Sequence, residues 1–146
     1  MPFETLSPDF DVDHFTATVH EHTNPTVPTT VIATDQEWAV QVHWETRGHM
    51  SNHLPGTWCV NVWIESIGEG DEKKIGWVHV PLSPGADPVI YNAEITVPAG
   101  KVSVPPHQST PFKLVTTVTY MWPNDIPGPM AGYIENPIIQ FYNPGP

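Results

Sequence analysis

Residues 57–65 read Thr57-Trp58-Cys59-Val60-Asn61-Val62-Trp63-Ile64-Glu65. Trp58, Val60, Val62 and Ile64 share one parity, and Cys59, Asn61, Trp63 and Glu65 share the other. Successive side chains of a strand point to opposite faces, so this stretch predicts a β-strand with one face in a core and one face wet. Residues 38–45 repeat the pattern, with Trp38, Val40, Val42 and Trp44 inward and Gln41, His43 and Glu45 outward. In residues 12–22 the odd positions Phe15, Ala17 and Val19 are apolar, while His14, Thr16, Thr18, His20 and His22 occupy the polar face.

Working outward, Val89, Tyr91, Ala93, Ile95 and Val97 alternate until the turn signal Pro98-Ala99-Gly100. Further strands are expected near 75–82, 112–122 and 138–142, with a weaker one at 29–33. Glu69 to Lys74 reads as a polar hairpin loop. Eighteen prolines and ten glycines in 146 residues disfavour long helices, and they collect between the strands, where no ladder hydrogen bond is lost. Roughly seven to nine short strands spanning residues 1–146 predict one antiparallel β-sandwich domain. The layout looks immunoglobulin-like, of Greek-key type, without the paired cysteines of an antibody domain.

Five Lys and Arg against sixteen Asp and Glu leave a formal charge of −11. Such a chain repels phosphate backbones and anionic lipid, so neither nucleic acid nor a membrane surface is an expected partner. A single cysteine, Cys59, excludes an intrachain disulfide. No apolar run is long enough to span a membrane, and no signal peptide is visible. The expected setting is cytoplasmic; export without a signal peptide is also compatible.

Catalytic signatures are weak. The pattern Gly-x-Ser-x-Gly is absent, as are phosphate-loop and dinucleotide glycine patterns. Glu45 and Glu65 are outward carboxylates that a glycosidase would need as a pair, but acidic side chains more often keep a sheet face soluble. The reading leans away from an enzyme.

Three surfaces remain as binding candidates. Residues 121–133 read as a loop by their prolines and glycines, yet carry Trp122, Ile126, Met130 and Tyr133. An apolar loop stiffened by proline suits a contact surface, and outward Trp63 joins it. These residues predict a module for protein–protein contacts, with a protein partner, a second copy of itself or the rest of a larger particle. The histidines form a second candidate: His20 and His22 project from one strand face with His14, and His49 and His53 lie in a later loop. Together they could supply nitrogen ligands to zinc or copper, although no cofactor is required by the lead reading. Trp63 or Trp77 stacking on a glycan is the third.

Overall fold

The computed structural model describes residues 3–4, 10–21, 24–48, 54–68, 72–83 and 88–146, with the backbone alone at 24–26. These residues form eleven strands in two sheets and no helix. Among them, no helix is long and apolar enough to cross a membrane.

The smaller sheet runs β3 (Asn24–Pro28), β2 (Asp11–Glu21), β5 (Trp38–Arg47), β8 (Val89–Val97), antiparallel throughout. The spine of the larger sheet is β9 (Ser109–Met121), the longest strand. Along one edge β9 pairs with β6 (Thr57–Ser66), which in turn pairs with β7 (Glu72–Pro81). Its other edge is divided between β10 (Pro127–Ile134) and β11 (Ile138–Tyr142). Beyond these lie β1 (Phe3–Glu4) on β10 and β4 (Val31–Ala33), parallel, on β11. The larger sheet is thus forked and curled around the core.

The alternation in the sequence becomes the sandwich interior. Trp44 and Trp58 are fully buried and Trp38 is 2% exposed. Trp44 stacks on Tyr91 of the same sheet with centroids 5.5 Å apart, and the Trp58 ring meets both edge-on from the opposite sheet. Such edge-to-face contacts satisfy the ring quadrupoles and add to the burial of area.

Two bulges alter the parity expected from sequence. In β2, Asp13 pairs with Glu45 and Thr16 with His43, so His14 and Phe15 together oppose Trp44. The extra residue is accommodated by a positive φ of 53° at His14. Even-numbered Val12 therefore faces the core on one side of the bulge, and odd-numbered Phe15, Ala17 and Val19 face it on the other. In β7 the register shifts between Val62 and Trp63 of its partner, which turns Ile75 inward and Trp77 outward although both are odd.

Residues 121–133 are not a loop. They form a hairpin whose turn is closed by Trp122 N–H donating to the Ile126 carbonyl (2.8 Å), with Asp125 at φ 58°. The returning strand is β10, which the prolines and glycines of its sequence concealed. Pro127 and Pro129 are tolerated on the β9 side because the register slips between Pro127 and Ala131; the described residues of β1 pair with Ala131 and Gly132. At Gly132 a Cβ would lie 2.2 Å from the Phe3 ring, so the close approach of β1 needs glycine.

Candidate contact face

The outer face of the larger sheet carries a row of four side chains on four adjacent strands. Trp77 of β7 pairs with Asn61 of β6, Asn61 with Thr117 of β9, and Thr117 with Tyr133 of β10. Register partners share a face, so all four project together. The two ends are open, with Trp77 60% and Tyr133 58% exposed, and the polar pair between them is half-buried. The Trp77 ring leans on His79 at 5.0 Å. Trp63, in the next row, is half-buried, with the Lys74 ammonium 5.6 Å from its ring centroid. Further along the same face Val31, beside Gln140 on β11, joins exposed Ile138 and Tyr142.

The charges of this face lie beside the row and not in it: Glu65 pairs with Glu72 across β6 and β7, Trp63 with Lys74, and Glu4 with Ala131 of β10. Lys113 sits between Glu65 (3.8 Å) and Glu135 (3.6 Å). The outer face of the smaller sheet is the polar counterpart. There His43 Nδ1 lies 2.9 Å from Asn92 Oδ1, His43 Nε2 lies 3.3 Å from Glu45 Oε2, and Arg47 reaches Glu45 at 3.6 Å. Thr16, Thr18 and Glu94 complete a shallow polar depression of about 430 Å³.

The fold redistributes the residues that sequence grouped together. Trp122 and Ile126 remain neighbours at the hairpin tip, 37% and 57% exposed, with the Trp122 ring edge-on to Tyr120 at 5.1 Å. Met130 is fully buried, because it is an inward position of β10, and contributes to the core rather than to a surface. Tyr133 lies at the far end of β10 from Ile126 and belongs with Trp77. The bulge that turns Trp77 outward has no signature in the residues themselves.

Of the candidate histidines, His14 and His20 are described, and they occupy different surroundings on β2. His14 is exposed at the bulge, 3.6 Å from Asp13 and 4.0 Å from Glu45. His20 has the expected outward parity yet is only 5% exposed, set between Ala39 and Pro28 on the flanking strands. Its Nε2 is hydrogen-bonded to Thr18 Oγ1 at 2.8 Å. His22, His49 and His53 lie outside the described residues. Among the described residues, no three His, Cys, Asp or Glu side chains converge as metal ligands.

No family model, curated protein or solved structure matches this chain.

Proposed function

We propose that the chain is a non-enzymatic β-sandwich module that makes protein–protein contacts through the outer face of its larger sheet, first with a second copy of itself. The observation that carries this reading is the row Trp77–Asn61–Thr117–Tyr133, with an exposed aromatic ring at each end. Trp and Tyr are the side chains that most often anchor interfaces, because they bury a large rigid area and keep a polar tip. The four side chains of the row carry no charge, which supports the same reading, since interface centres are depleted of charge.

The immunoglobulin-like reading of the sandwich goes with this proposal. The order β2-β5-β8 in one sheet and β10-β9-β6-β7 in the other supports a Greek-key arrangement, as does fully buried Trp58 on β6. A cytoplasmic setting, in which lone Cys59 stays reduced, also belongs to the proposal.

Light scattering over a concentration series tests the reading. The wild type is expected to self-associate, and Trp77→Ala with Tyr133→Ala is expected to be monomeric. Trp122→Ala with Ile126→Ala reports whether the hairpin tip extends the interface. A wild type that is monomeric up to about 1 mM overturns self-association. Half-buried Asn61 and Thr117 between the two rings favour a glycan as the second reading, since sugar hydroxyls need polar partners beside a stacking surface. Glycan-array binding abolished by Trp77→Ala, with a monomeric wild type, would replace the protein partner.

A further inference from the structure

At one end of the sandwich, the inner face of the larger sheet and the segment 98–108 flank a half-open cavity of about 410 Å³, within the range of roughly 300–1,000 Å³ typical of small-molecule sites. Its floor includes Ile64, Val102 and Phe112, all nearly fully buried, and its walls add Pro105 with the polar side chains Ser103, Gln108 and Thr110. Its rim holds Lys73 and Lys101, two of only five fixed cations in the chain.

Lys73 is placed there by register. It pairs with Ile64, a core position, so the side chain leaves the inner face of β7 instead of the wet face. The Lys73 ammonium donates to the Lys101 carbonyl at 2.9 Å, which pins it at the mouth and leaves two of its three N–H groups for another acceptor. Among the described residues, neither ammonium has a carboxylate within 4 Å, whereas Lys113 on the outer face has two. Ser66 likewise lies on the inner face, paired with Phe112, and its Oγ is buried without a hydrogen-bond partner.

We propose that this cavity binds an amphipathic monoanion: a carboxylate held by Lys73 and Lys101, carrying an apolar body that rests on Ile64, Val102 and Phe112. The site is independent of the contact face, because its side chains lie on the opposite surface of the sheet. Charge-assisted hydrogen bonds supply the affinity for the head group, and burial of the apolar body supplies the remainder.

Calorimetric titration with octanoate tests this, with octanol and inorganic phosphate as controls. Octanoate is expected to bind at one per chain, octanol more weakly, and phosphate without saturation. Lys73→Met is expected to weaken octanoate about tenfold, and Lys73→Met with Lys101→Met more, as loss of a hydrogen bond to a charged group implies. Both lysines are solvent-accessible, so the variants should unfold at the wild-type urea midpoint. Absence of saturable octanoate binding, equal binding of octanol, equal binding of phosphate, or unchanged octanoate binding in the double variant would each overturn the proposal.

Discussion

Trp77 on β7 and Tyr133 on β10 stand at the two ends of one row across four adjacent strands, with Asn61 and Thr117 between them. Three inter-strand steps put their backbones about 14 Å apart. Neither ring contributes to the core, since 60% of Trp77 and 58% of Tyr133 meet solvent.

Removing these rings should therefore leave the fold intact. Trp77→Ala and Tyr133→Ala are each expected to change unfolding free energy by about 0.5 kcal/mol or less. Fully buried Trp58 contacts Trp44, Tyr91 and Tyr120, and Trp58→Ala is expected to cost about 3–5 kcal/mol. Urea unfolding of the three variants separates the cases; a large loss in Trp77→Ala would make that ring structural.

Thr116 offers the opposite sign. It is fully buried on the inner face of β9, and its Oγ1 has no hydrogen-bond partner. A buried hydroxyl left unpaired costs about 1–3 kcal/mol. Thr116→Val keeps the shape and removes the polar atom, so the urea midpoint should rise, by about 1 kcal/mol in stability. A lower midpoint would mean that the hydroxyl is satisfied in solution.

Gly76 is held by packing between the sheets. A Cβ there would lie 2.4 Å from Ile95 Cγ2 on the facing β8. Gly76→Ala is expected to destabilise by about 1–3 kcal/mol, as overpacking does, and adding Ile95→Ala, which removes the clashing Cγ2 methyl, should cost less than it does in the wild type and so recover part of the loss. No recovery in the double variant would place the strain in the backbone instead.

Alkaline pH should weaken the fold through Tyr120. Burial raises its phenol above the ordinary value of 10.0, and the hydroxyl donates to the Pro55 carbonyl. Above that value the unfolded chain releases the phenolic proton while the native chain retains it, so the unfolded state is favoured as pH rises. The contribution is complete below about pH 10 and disappears as pH climbs through the native value. Compared with Tyr120→Phe, the wild type should lose its advantage over that interval; a stability difference independent of pH would refute the assignment.

The alternation of Trp58, Val60, Val62 and Ile64, and of its counterparts in 38–45 and 89–97, was enough to identify a two-faced β-protein. Burial of one face is a local consequence of period two, so it is written in the residues themselves. The same alternation marked Trp38, Trp44 and Trp58 as core, and all three are buried. Strand pairing is not local. The bulges at His14 and beside Trp63 arise from register between distant segments, and they decided that Val12 faces inward and Trp77 outward. Pro127 and Pro129 obscured β10, because proline is excluded from a strand only where its missing N–H would have been bonded, and that depends on which neighbours are present. His20 had the expected parity but not the expected exposure, since parity assigns a face and says nothing of what lies beside it. The row from Trp77 to Tyr133 and the cavity beneath Lys73 each draw on residues more than 30 positions apart in the chain. The sequence alone determined which faces are apolar and how little positive charge the chain has; only the tertiary pairing decided which side chains stand together, because register is set by packing across the sheets.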